Sequence, residues 1–519
     1  MTVNSHPSDG TTPPGQDHPP ARLKRGAIGL VGVVFMVVAF SAPITAMTGN
    51  LPVAVGFGNG TGAPAGFIIA TVVLTIFSIG FVALAKHITA AGAFYTFVSR
   101  GWSKIPGLPA GVMSMVTYMI MEAGLIGIFS AFAKQAIGSQ FGIGLPWEVY
   151  AFLCVVVIAI LSHKDISVAA KVLGVVLVCE IGMLTLTAVR SLAAGGGPDG
   201  IMWSSLNPVN ALSTNGVAGG VVGLGLLMAF WSWVGFESTA IYGEESEDPK
   251  KIVPRATLIA VIGIGVFYAF ISWAIITGNG AKESVELASS SNPFELLYAP
   301  TREYVGAWGV PAFEWLVLGG SFACALAIHN SAARYLFAFG RDGLLWRRLG
   351  EAHPQHSSPW IASLTQSIFA AIILLICSLT QSDPYSTLFV LVAILATLCL
   401  LIVQVMCSIS VITYFHVWKQ HPETANWWRT LVSPIIGGLG MVFVIYLMTT
   451  NMEAAAGTAS GSLFFKAIPW IVVGLLFGSM GVALYWRSSK PHLYARIGST
   501  VFDDEPDHSV LTEPAPEPA

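Results

Sequence analysis

Apolar runs long enough to cross a lipid bilayer recur from one end of this sequence to the other, and no water-soluble domain could hide them all. Ile28 to Phe40, Phe67 to Ala85, Val168 to Val189 and Ala467 to Trp486 are examples, several of them near the ~20 residues that a spanning helix requires. Only 10% of the chain is charged against 54% hydrophobic, whereas soluble domains carry roughly a quarter charged residues. Within hydrocarbon, every backbone polar group must be satisfied by the fold itself, and runs of this kind achieve that as helices, not barrel strands.

Twelve spans follow: 28 to 57, 64 to 86, 109 to 137, 147 to 162, 166 to 190, 216 to 243, 255 to 277, 312 to 340, 359 to 380, 384 to 415, 430 to 450 and 463 to 486. They form one membrane domain, 26 to 490, with no room for a soluble catalytic domain. The stretch 1 to 25 is rich in Pro, Gly, Ser and Asp, and 491 to 519 is acidic and contains Pro; neither can bury a core, so both are expected to be disordered tails. No cleavable signal pattern precedes the first span. Of the 25 Lys and Arg residues, nineteen lie on the side of the N-terminus, five on the other, and Arg334 inside the eighth span. The positive-inside rule therefore places both termini in the cytoplasm.

The net charge of −3 and the scatter of basic residues between apolar runs argue against nucleic acid. Six cysteines fall inside apolar runs without CxxC or metal-ligand spacing, so neither a metal nor a cofactor is indicated. No GxxxxGK[ST] segment offers ATP drive, and no HExxH or GxSxG signature offers an enzyme.

Two spans are interrupted. Ser41-Ala42-Pro43-Ile44-Thr45 sits in the middle of the first, followed by Gly49-Asn50-Leu51-Pro52; a proline there lacks the N–H that would continue the helix. In the sixth, a Gly-rich lead runs into Trp231-Ser232-Trp233-Val234-Gly235-Phe236-Glu237, with an acid deep in the apolar run. Breaks five spans apart are the mark of an inverted repeat whose first helices unwind at a substrate site. Freed amides attract a carboxylate, while freed carbonyls and Glu237 attract an ammonium, so a zwitterion suits both. The plainer reading is two kinked, packed helices.

The segment from Phe230 to Glu237, continuing through Glu244-Glu245 and Asp248-Pro249-Lys250-Lys251 to Pro254-Arg255-Ala256, resembles the sixth helix and following loop of the amino acid-polyamine-organocation superfamily. Ala91-Gly92-Ala93-Phe94-Tyr95 with Arg100-Gly101 is similar to that family's loop after helix two, with Gly-Ala where Gly-Gly is usual. Ala333-Arg334-Tyr335-Leu336 with Gly340-Arg341-Asp342-Gly343-Leu344-Leu345, then Ser358-Pro359, resembles the end of helix eight and its loop.

The resemblance covers roughly residues 25 to 490. It implies an all-α polytopic permease of the plasma membrane with a five-plus-five inverted repeat, two further C-terminal helices, and no chemistry on the substrate. It also implies substrate contacts at Ser41, Ala42, Pro43, Ile44 and Thr45, with the side chain packing on Trp231, Trp233 and Tyr118, beside Ser232, Gly235 and Glu237. The first break lacks glycine and looks closer to members with an apolar, Pro-containing break, some of which import putrescine or other amines. Where some proton-coupled members carry a helix-five lysine, this sequence has Glu180.

Ionisable groups inside spans are costly and invite functional readings. Glu237 adjoins the second break and suits an ammonium-binding or proton-cycling group; Glu122 and Glu180 are further proton-coupling candidates, each with the alternative of a structural hydrogen bond. Trp231 and Trp233 would face different ways in a regular helix, and unwinding would let both reach the site. His329 reads as an interhelical hydrogen bond or a titrating group. Arg334, Lys86 and Lys171 near span ends are expected to snorkel. Glu244, Glu245, Glu247 and Asp248 facing Lys250, Lys251 and Arg255 read as a solvated loop or as a salt-bridge latch.

The expected function is a secondary transporter of amino acids, with proton-coupled uptake by alternating access across the bilayer. An amine importer, an amino acid exchanger, a channel and a nontransporting sensor are the rivals.

Overall fold

The computed structural model describes residue 26 and residues 28–89, 92–163, 166–353 and 358–499. Residues 1–25, expected to be a tail, and Ala91 of the loop motif lie outside them. The described elements are helices, with two isolated β-bridges. In chain order they are α1 (Leu30–Ser41), α2 (Pro43–Val53), α3 (Ala63–Ala85), α4 (Phe94–Gly101), α5 (Lys104–Phe141), α6 (Trp147–His163), α7 (Ile166–Ala193), α8 (Val222–Trp231), α9 (Ser238–Ile241) and α10 (Pro249–Asn279). There follow α11 (Ala281–Ala288), α12 (Glu295–Pro300), α13 (Gly309–Arg341), α14 (Trp360–Leu379), α15 (Val390–Ile412), α16 (Ser433–Thr450), α17 (Met452–Ala456), α18 (Leu463–Val473), α19 (Ser479–Ser489) and α20 (Pro491–Arg496).

Among the described residues, 10 helical stretches are long and apolar enough to span a membrane, and the shorter apolar helices Trp147–Ser162 and Val222–Trp231 occupy the fourth and sixth places. That reproduces the twelve expected spans. Three starts differ by five or six residues, each for a backbone reason. The third span begins at Lys104 and not at 109, because Pro106 stands in the first turn, where its missing N–H costs nothing. The seventh begins at Pro249 and not at 255, with that proline at the favoured first position. The sixth loses its first six residues, since Gly216 and Gly219 take φ of 91° and 70°, outside the helical region.

The two most extensively packed helix pairs are α5 with α13 and α3 with α10. These are the third span with the eighth and the second with the seventh, the same five-span offset that separates the two breaks. Glycine permits close approach elsewhere: a Cβ on Gly437 of α16 would lie 2.9 Å from Cα of Phe77 on α3, the small-residue contact that membrane helices use in place of a hydrophobic driving force.

The chain beyond residue 490 departs from the expected tail. Helix α20 forms there, Arg100 Nε donates to Gly498 O at 3.0 Å, and Lys104 Nζ bonds to Ala495 O. The Tyr95 hydroxyl accepts from Gly498 N at 2.7 Å and donates to Asp342 Oδ2 at 2.7 Å. The expected disordered tail therefore does not include residues 491–499; residues from 500 onward lie outside the described residues.

Candidate substrate site at paired helix breaks

Helix α1 stops at Ser41 because Ala42 takes a left-handed conformation, φ 39° and ψ 74°, and Pro43 has no N–H with which to continue. A left-handed alanine costs roughly 1–2 kcal/mol, so surrounding contacts must hold it. Two are visible on the carbonyl side: Tyr268 OH of α10 donates to Ser41 O at 2.8 Å, and Cys324 Sγ of α13 donates to Phe40 O at 2.9 Å. On the amide side, α2 restarts with Pro43 in its first turn, and the N–H groups of Ile44 and Thr45 stand ahead of its first rung with no hydrogen bond from elsewhere among the described residues. The hydroxyls of Thr45 and Thr48 are buried without a partner among the described residues. The break is thus narrower than the sequence implies, for Pro52 lies inside α2 and does not interrupt it.

The second break runs from Ser232 to Glu237 between α8 and α9. Gly235 sits there at φ 107°, and a Cβ on it would fall 1.8 Å from Cδ1 of Phe40. The ring that precedes the first break therefore fills the space a side chain would take in the second. Glu237, 0% exposed, accepts from Tyr118 OH of α5 at 2.5 Å and from Gly235 N at 3.1 Å. Tyr118 lies edge-on to Phe40, with centroids 5.8 Å apart, and stacks on Tyr335 at 5.3 Å. Ser232 Oγ accepts from Asn50 Nδ2 at 2.8 Å and donates to Met228 O, joining α2 to the second break.

Ser41 to Thr45, Tyr118, Ser232, Gly235 and Glu237 are thereby brought together. The two tryptophans are not. Trp231 points to Phe389 at 6.0 Å, whereas Trp233 turns away, packs on Phe67 and Tyr268, and donates its ring N–H to Val261 O at 3.3 Å. The break is too short to swing both rings to one side. Phe40, Tyr268 and Cys324 were not singled out by sequence reasoning, although Phe40 stands beside Ser41-Ala42-Pro43; Asn50 was noted only within the Gly49-Asn50-Leu51-Pro52 segment, without a role.

The other two proton-coupling candidates occupy separate places. Glu122 of α5 meets His329 Nδ1 of α13 at 3.0 Å through both oxygens and accepts from Gln366 Nε2 of α14 at 2.6 Å; His329 Nε2 bonds Ser363 at 2.8 Å. Of the two readings of His329, the structure shows the interhelical bond. Glu180 of α7 is 1% exposed and packs where Gly320 of α13 leaves room, 2.5 Å from the place of its missing Cβ; Oε2 has no partner among the described residues. One helical turn along α13 from Gly320 stands Cys324, bonded to the end of α1.

Below the breaks, on the basic-rich side, the loop after α9 is tied to α13 and to the start of α1. Arg334 does not snorkel: it is 3% exposed, its Nη2 lies 2.8 Å from Glu245 Oε1, and its guanidinium lies 4.5 Å over the ring of Tyr242. The acidic loop therefore latches to the eighth span through Glu245, and it also carries an exposed Lys251–Asp248 pair at 2.8 Å. Ile28 exchanges backbone bonds with Glu245 and Glu247 at 3.1 Å, pinning the start of α1 to that loop. Lys86 is exposed, as expected; the side chains of Lys171 and Glu244 lie outside the described residues.

Twelve helical spans with broken first and sixth members define a polytopic permease. The chain belongs to the amino acid permease family, whose sequence pattern matches residues 28–477. Similar proteins include the branched-chain amino acid permease BcaP of Bacillus subtilis, 21% identical over 83% of this chain and 87% of its own length. The low-affinity putrescine importer PlaP of Escherichia coli K12 is 22% identical over 87% and 93%. The serine/threonine exchanger SteT of B. subtilis is 22% identical over 58% and 65%.

Proposed function

We propose that this permease carries a neutral amino acid with an apolar side chain into the cell by proton-coupled alternating access, from the plasma membrane, with both termini cytoplasmic. The observation that carries the reading is the meeting of the two breaks: the unbonded amides of Ile44 and Thr45 offer a carboxylate site, and Glu237 offers an ammonium site. Phe40 and Ile44 at the first break supply apolar walls, which favour an uncharged side chain. Among the buried acids, Glu180 has a carboxyl oxygen free to take a proton and sits against α13 near the end of α1. We assign it the coupling proton, with Glu237 and Glu122 as the other candidates.

The test is uptake into proteoliposomes of labelled leucine, threonine and putrescine, with and without an inward proton gradient. Gradient-driven leucine accumulation that Glu180→Gln abolishes, while leucine-for-leucine exchange survives, supports the assignment. Accumulation of putrescine alone would move the protein to the amine reading that the similarity to PlaP favours. Exchange without net accumulation in the wild type would remove proton coupling altogether.

A further inference from the structure

Where α3 ends, α10 begins and the chain returns toward α16, a cleft of about 970 Å³ opens on the side that carries most basic residues. Six basic side chains converge on it: Lys86 and His87 after α3, Lys250, Lys251 and Arg255 in the first turns of α10, and Arg429 ahead of α16. Among the described residues no Asp or Glu lines it. Lys251 is paired with Asp248, but Lys86, Arg255 and Arg429 have no ion-pair partner among the described residues.

Basic residues at helix ends are ordinary on this side of a membrane protein. Their convergence from three separate elements on one concavity without a carboxylate is not. The local field shows at His87, whose pKa is held below the usual imidazole value first by burial and then by His421, Lys250 and Lys86, against the opposing Glu423.

The walls change character with depth. Ile79, Val82 and Ala83 of α3 and Leu258 of α10 form the inner part, with Trp428 beside them. Val82 lies four residues inside Lys86, about 6 Å toward the bilayer centre along a helix. Cations at the headgroup level above an apolar channel match an amphiphile that carries an anion at one end, and basic pockets between spans on this face take such headgroups.

We propose that this cleft binds an anionic phospholipid of the leaflet it faces, with the phosphate among Lys86, Arg255 and Arg429 and the acyl chains along Ile79, Val82 and Leu258. The site lies outside the substrate path and does not depend on which amino acid is carried. A rival occupant is the chain's own acidic stretch Asp503, Asp504, Glu505 and Asp507. The apolar walls favour the lipid, whose chains cover them continuously.

The full chain in detergent is titrated with dioleoyl phosphatidylglycerol, dioleoyl phosphatidylcholine or inorganic phosphate, reading the melting midpoint by tryptophan fluorescence and the retained lipid by native mass spectrometry. Phosphatidylglycerol is expected to raise the midpoint by roughly 2–4 °C and to stay bound, while phosphatidylcholine and phosphate do neither. The combined variant Lys86→Gln, Arg255→Gln, Arg429→Gln should retain phosphatidylglycerol about tenfold less with an unchanged midpoint in phosphatidylcholine. If it fails to fold, Lys86→Gln alone is read by lipid retention, and a loss there supports the site. Equal effects of the two lipids, or the full shift with phosphate alone, would overturn the proposal. So would a phosphatidylglycerol shift that appears only after residues 500–519 are removed, which would give the cleft to the acidic stretch.

Discussion

Gly235 and Phe40 make the tightest junction of the two broken helices, and single-atom changes there have large expected effects. Gly235→Ala forces a side chain into a positive-φ position, at roughly 1–3 kcal/mol, and drives a Cβ into the Phe40 ring; leucine uptake should fall at least about tenfold while the protein remains in the membrane. Ala42→Gly makes the opposite change, relieving roughly 1 kcal/mol of left-handed strain. It should raise the melting midpoint in detergent, and an unchanged or lower midpoint would show that Ala42 is not strained. At this scale the sequence exposed Ser41 to Thr45 and Glu237, because a proline and an acid inside an apolar run are conspicuous by type. It hid Phe40, Tyr268 and Cys324, which look like ordinary core residues until packing sets their polar atoms or ring edges against the break.

Helix ends and loops lock the basic-rich side. Removing one partner of a largely buried ion pair costs roughly 3–5 kcal/mol, so Arg334→Gln should loosen the junction of α9, α13 and the start of α1. Cys324, buried and bonded to Phe40 O, is a native reporter: its labelling by a membrane-impermeant maleimide from that side should rise in Arg334→Gln and fall back in the swapped pair Glu245→Arg, Arg334→Glu. A second expectation concerns His87, stacked on His421 at 4.1 Å and bonded to Thr424. With the folded pKa held below the ordinary ~6.5, its contribution is present above that value and is lost as pH falls through the lowered one. Melting midpoints measured from pH 7.5 to 5 should therefore drop more in wild type than in His87→Gln. The twelve spans were legible from hydropathy alone, since length and apolarity define a span. The partner of Glu245 was not, because it lies 89 residues along the chain and no local pattern joins a loop acid to an arginine inside another span.

Across the whole molecule, packing of α5 on α13 and of α3 on α10 means that neither half buries its own faces. The ordered segment after α19 completes this interdependence at the surface, and a chain ended after residue 490 should melt several degrees lower, by roughly 2–4 °C for each 1 kcal/mol lost. That segment also sets an order of assembly. Tyr95 stands in the loop after the second span and Asp342 in the loop after the eighth, yet the amide that closes their junction belongs to Gly498. During synthesis that amide leaves the ribosome only after the last span has been made, so the first loop must wait, with its hydroxyl half-satisfied, for nearly the entire polypeptide to be threaded into the membrane.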